Sequence, residues 1–95
     1  MSVLSPEAVE QKLKQLQGWR LAGPEIVREF GFDDFAQAMQ FVNAVAEKAE
    51  AAGHHPDIDI RYNKVTLALV SHDAGGLTER DFRMAESVNG ISTKK

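Results

Sequence analysis

The chain has 95 residues, enough for one domain and one core, and its 43% hydrophobic content argues against disorder. Eleven lysines and arginines against 14 acidic residues leave a net charge of −3, and with no basic patch or arginine-rich run there is no electrostatic case for nucleic-acid binding. The absence of cysteine excludes a disulfide framework, a thiol nucleophile and a thiolate metal site, and no apolar run approaches the roughly 20 residues that span a bilayer.

The opening "MSVLSPEAVEQK" lacks a basic segment followed by an apolar stretch, so no secretory signal is expected and the protein is read as cytoplasmic. Ser5 is placed to cap a first helix, with Pro6 at its first position, where a missing N–H costs nothing. Val9, Leu13 and Leu16 fall at helical spacing, and Gly18 closes the segment. Trp19, expected in the core, and Leu21 then alternate; Ala22-Gly23-Pro24-Glu25 supplies turn chemistry, and Ile26 to Phe32 reads as the second strand of a hairpin.

Asp33 and Asp34 can cap the next and longest helix, Phe35 to about Ala52. Its apolar stripe is Phe35, Ala38, Met39, Val42, Val45, Ala46 and Ala49; Phe41 and Ala44 lie off it, widening the face to suit either deeper burial or a second subunit. After Gly53 the period becomes two. Ile58, Ile60 and Tyr62 alternate with Asp57, Asp59 and Arg61 in a half-buried strand, Asn63-Lys64 is the turn, and the apolar "VTLALV" (65–70) suits an interior strand. A glycine-bearing loop follows. Thr78 caps a last helix with Phe82, Ala85 and Val88 on its buried side and Gly90 as its stop. The order α-β-β-α-β-β-α specifies a single α+β domain over 1–95, a two-layer sandwich whose four-stranded antiparallel sheet is covered on one face by helices.

Three histidines lie close in this pattern: His54 and His55 before Pro56, and His72 in "LVSHDAGG". A turn at Asn63-Lys64 pairs Tyr62 with Val65, Ile60 with Leu67 and Ile58 with Leu69, and the extended ladder sets His55 opposite His72. Three readings of the trio stand at this point. They are solvated strand-end residues, a metal site completed by Asp57 or Asp73, or proton-transfer groups, since imidazole exchanges protons near neutral pH. No serine or cysteine nucleophile motif and no phosphate-binding glycine loop is present.

The stretch "AEKAEAAGHHPDIDIRYNKVTLALVSHDAGGLTERD" (46–81), with "GW" at 18–19 and "FGFDDFAQAMQFVNAVA" (30–46), resembles the pterin-4a-carbinolamine dehydratases. The resemblance implies loss of water from a 4a-hydroxytetrahydropterin to give the quinonoid dihydropterin, recycling tetrahydrobiopterin for an aromatic amino acid hydroxylase. It implies neither a cofactor nor a metal, and a homo-oligomer, up to a tetramer built through sheet edges and the long helix. By the same resemblance His54, His55 and His72 are catalytic, with His54 and His72 preferred as the acid–base pair and His55 orienting the pterin. The substrate-binding set it implies is Glu50, Gly53, His54, His55, Pro56, Val70, Ser71, His72, Asp73, Arg80 and Asp81.

Glu50 is expected either to touch the pterin or to fix a histidine tautomer, unless it is a solvated helix-end carboxylate. Asp81 equally suits stabilisation of the last helix's first turn. Three positions depart from the family pattern: Gly53 replaces the usual Asn or Asp, Ile58 an aromatic of some members, and Ser71 the customary threonine. Two alternatives to cofactor recycling are a pterin role in molybdopterin metabolism and an interaction or coactivator module that uses the long helix.

Overall fold

The computed structural model describes residues 3–92, with Ser92 as backbone only; the first two and last three residues of the expected domain span lie outside them. The order is α1 (Pro6–Lys14), β1 (Arg20–Ala22), β2 (Glu25–Gly31), α2 (Phe35–Ala52), β3 (Asp57–Arg61), β4 (Lys64–Leu69) and α3 (Glu79–Ser92). The expected α+β sandwich is present, with one antiparallel sheet in the order β1-β2-β4-β3. Ile26 and Phe30 of β2 and Val65, Leu67 and Leu69 of β4 point to the same side. They share one core with Ala38, Phe41, Val42, Val45 and Ala49 of α2 and Phe82, Met84, Ala85 and Val88 of α3.

Local sequence sets the helix starts. The Ser5 hydroxyl accepts the Ala8 N–H at 3.1 Å, and the Asp34 carboxylate accepts the Gln37 N–H at 2.9 Å. Gly18 sits at φ +89°, where an added Cβ would lie 2.5 Å from the Arg28 guanidinium. That guanidinium is held by Asn89 Oδ1 (2.7 Å) and the Gln17 carbonyl (2.9 Å), so it cannot yield freely. Trp19 is in the core as expected, edge-on to Phe30 at 6.3 Å and donating its indole N–H to Asn89 Oδ1 at 2.9 Å.

Several expectations are corrected. On α2, Phe41 is buried and stacks against Phe30 (4.6 Å) and Phe32 (5.1 Å), whereas Phe35 and Ala46, placed on the stripe, are exposed. Gly90 does not stop α3, which continues to Ser92. All five β3 positions are exposed because β3 is an edge strand paired only with β4. The β3–β4 turn is Tyr62-Asn63, with Tyr62 at φ 52°, so Arg61 faces Lys64, Ile60 faces Val65 and Ile58 faces Leu67.

Each β3 residue therefore meets a partner two positions from the one expected. A shift of two keeps every side chain on its face, so the apolar stripes still meet. The ladder ends at Asp57 and Ala68, and its extension would bring position 55 level with Val70, not His72. A contact outside the hairpin explains the shift. Asn63 donates its side-chain amide to the Phe32 carbonyl (2.9 Å) and accepts the Phe32 N–H on its own carbonyl (2.9 Å), which fixes Asn63 in the turn beside the end of β2.

Candidate active site

The site begins where α2 ends. Gly53 adopts the left-handed conformation at φ 64°, reversing the chain so that the His54 N–H bonds back to the Ala49 carbonyl at 3.2 Å. His54 is thereby tied to the helix terminus and turned inward, while His55, one residue on, stays exposed. Pro56 is buried and leads into β3.

Thr78 and Asp81 form the capping pair of α3. The Asp81 carboxylate reaches back to the Thr78 N–H at 2.9 Å, and the Thr78 hydroxyl accepts the Arg80 N–H at 3.2 Å. The same carboxylate is wholly buried and carries two further bonds. Its Oδ1 lies 2.6 Å from His54 Nε2, and its Oδ2 accepts the Ser71 hydroxyl at 2.9 Å.

These contacts form a directed chain. A carboxylate only accepts, so the Ser71 hydroxyl donates to it, and the Thr78 hydroxyl, 2.9 Å away, donates to Ser71. By the same reasoning His54 carries its proton on Nε2. Its Nδ1 makes no hydrogen bond, and Arg80 Nε is the one buried side-chain nitrogen or oxygen without a partner among the described residues. Nδ1 is therefore the solvent-reachable end of the ring.

The remaining histidines differ in kind. His55 Nε2 lies 2.6 Å from Glu50 Oε2, with both side chains largely exposed. His72 is exposed at the start of a tight turn in which Ser71 and Gly76 exchange backbone hydrogen bonds at 3.2 Å. It follows Ser71, whose hydroxyl shares Asp81 with His54, so the carboxylate rather than a strand ladder joins the two segments. Arg80 Nη2 grips Asp73 Oδ1 at 2.6 Å, which fastens this turn to α3. That hydrogen bond holds the Asp73 carboxyl below the usual carboxylate range; slight desolvation opposes it, while the guanidinium charge and the N–H groups of Asp73 and Ala74 assist.

Of the sequence-derived binding set, Ser71 and Asp81 are interior groups, Val70 and Arg80 are partly buried, and Gly53 and Asp73 are exposed. No group of three His, Asp or Glu side chains able to hold a metal ion occurs among the described residues. A cleft of about 420 Å³ opens beside His54 between α2 and α3, lined also by Lys48, Ala51, Ala52, Arg80, Arg83, Met84 and Ser87. Sequence reading missed Lys48, Arg83 and Ser87. The signal was helical spacing: 48, 51 and 52 share one face of α2, and 80, 83, 84 and 87 share one face of α3. A second groove of about 640 Å³, mostly apolar and without a histidine in its lining, lies between α1, the β1–β2 turn and Gly75–Leu77.

The family model for pterin 4 alpha carbinolamine dehydratase matches residues 2–91. The chain belongs to that dehydratase family. The family consists of hydro-lyases, and the resemblance read from residues 46–81 stands. A protein of Acidobacterium capsulatum, provisionally named for this dehydratase, is 63% identical over 91 residues, covering 96% of this chain and 99% of its own. The crystal structure of a transcriptional coactivator/pterin dehydratase from Brucella melitensis superposes with a TM-score of 0.91 at 35% identity, over 95% of this chain and 98% of that one. A pterin dehydratase-like RuBisCO assembly factor of the alpha-carboxysome matches with a TM-score of 0.67 at 27% identity, over 79% and 89% of the two chains. No helix among the described residues of this dehydratase-family chain is long and apolar enough to cross a membrane.

Proposed function

We propose that this protein removes water from a 4a-hydroxytetrahydropterin to give the quinonoid dihydropterin, in the cytoplasm, as part of tetrahydrobiopterin recycling for aromatic amino acid hydroxylation. One observation carries the reading: a buried carboxylate holds His54 by one ring nitrogen, and His54 lines a cleft of small-molecule size. In the elimination the C4a–O bond breaks as a proton reaches the leaving oxygen. A ring N–H proton departs, and its electron pair closes the new C=N bond. Electrons balance within the substrate, so the step calls for neither nicotinamide nor metal.

His54 and His72 divide the two proton transfers. With Nε2 held by Asp81, His54 works through Nδ1, and the carboxylate stabilises the imidazolium when a proton arrives. His55, braced by Glu50, orients the pterin. Asp81 and Ser71 act through His54, being buried away from any ligand. The protein works as a homo-oligomer: Ile58 and Ile60 on the unpaired edge of β3 remain 38% and 37% exposed, which suits cover by another copy, with α2 as the second contact.

Steady-state dehydration assays of wild type, His54→Ala, His55→Ala and His72→Ala test the reaction. Loss of His54 or His72 is expected to lower turnover by about 10²- to 10⁴-fold, and loss of His55 chiefly to raise KM. Wild-type rates in all three variants would exclude histidine catalysis. A second reading, an interaction module using α2, draws on the coactivator and assembly-factor relatives. It predicts a function that survives removal of all three histidines.

A further inference from the structure

We propose that the cleft beside His54 also takes a second class of ligand, a reduced pterin bearing a phosphate monoester on its side chain, which tetrahydrobiopterin lacks, with Lys48 and Arg83 as the recognising cations; this rests on His54 meeting the pterin. Lys48, Arg80 and Arg83 line the cleft with His54, and none of its lining residues is acidic. In a chain of net charge −3 with no basic run, this convergence exists only in the fold. Three cations around one small volume repel one another and create a positive potential that favours an anion.

Two of the three cations are not neutralised internally. Lys48 and Arg83 form no ion pair among the described residues, although Glu79 and Glu86 lie one turn either side of Arg83 on α3; Glu79 pairs instead with Lys12 at 3.0 Å. Arg80 spends Nη2 on Asp73, but its buried Nε–H has no partner. A buried donor without an acceptor is destabilising, and an acceptor entering the cleft would relieve it. The groups present match phosphate in kind: guanidinium forks, an ammonium and the Ser87 hydroxyl.

Size and layout agree with a ring at one end and an anion at the other. The volume, about 420 Å³, falls in the range of small-molecule sites, roughly 300–1,000 Å³. Arg80 and Ser87 lie two helical turns apart, about 10 Å along α3, a span that a pterin ring with a short phosphorylated side chain can fill. Ala51 and Ala52 keep the α2 wall low.

The test compares binding of two reduced pterins to the full-length protein, one with a neutral hydroxymethyl side chain and one bearing its phosphate monoester. Wild type is expected to bind the phosphate ester at least about tenfold more tightly, the equivalent of one charge-assisted hydrogen bond. That preference should weaken with salt and disappear in Lys48→Ala/Arg83→Ala. Equal affinities in wild type, or a preference that survives the double substitution, overturn the subsite while leaving dehydration to stand. If neither pterin binds, both readings fall. A protein that prefers the phosphate ester yet dehydrates no carbinolamine retains the subsite and loses the reaction.

Discussion

Asp81 is inaccessible to solvent, yet both of its oxygens are engaged by groups from three parts of the chain: His54, Ser71 and the α3 cap at Thr78. A carboxylate so held cannot turn, so the imidazole bonded to it is fixed in tautomer and direction. The Asp73–Arg80 link does comparable work for the loop that carries His72. Its contribution has a defined sign with pH. Because the folded carboxyl is held below its ordinary range, the link stabilises fully above the unfolded aspartate pKa and is lost as pH falls through the lowered folded value. An NMR titration of the Asp73 carboxyl should show a midpoint below that of an unpaired aspartate, returning to the ordinary range in Arg80→Gln; an unchanged midpoint in that variant would refute the link. At this scale the sequence showed residue types better than pairings. The Glu50–His55 contact spans a helix end and was one of three stated options, whereas the His54–Asp81 bond joins positions 27 apart, which no local spacing reveals.

At the scale of elements, the departure at Gly53 proves to be a conformational matter. The residue is left-handed, and an added Cβ would meet nothing within 4 Å, so the cost of a side chain there is backbone strain alone. Gly53→Ala should destabilise by about 1–2 kcal/mol, and Gly53→Asn by clearly less, since asparagine tolerates this region. Urea denaturation decides, and equal losses would contradict the strain argument. The N-caps at Ser5 and Asp34 and the α2 boundaries were legible because each depends on neighbours in sequence, whereas the expected stop at Gly90 was not kept. The β3–β4 register was not legible, because Asn63 is anchored to Phe32 on another hairpin, and Tyr62 accepts a positive φ that turn propensity assigns to its neighbour. The expected meeting of His55 and His72 does not follow from the observed register; what the structure joins instead is His54 and Ser71, through Asp81.

For the whole molecule, Asp81 and Arg80 tie together three separate elements at the candidate site: the α2 terminus, the Ser71–Gly76 turn and the first turns of α3. The element order was readable from periodicity. The edge position of β3 and the basic cleft were not, since both arise from how separate elements pack. The central claim is that Asp81 acts on the reaction through His54. A double-mutant cycle on kcat/KM for dehydration, comparing wild type, His54→Ala, Asp81→Asn and the double variant, addresses it directly, with thermal unfolding used to confirm that each protein folds. Each single change should lower kcat/KM, within the roughly 10²- to 10⁴-fold of a positioned acid–base group for His54→Ala. The account predicts that the double variant is no slower than His54→Ala alone. Losses that multiply in full would show that Asp81 and His54 act independently, and would contradict it.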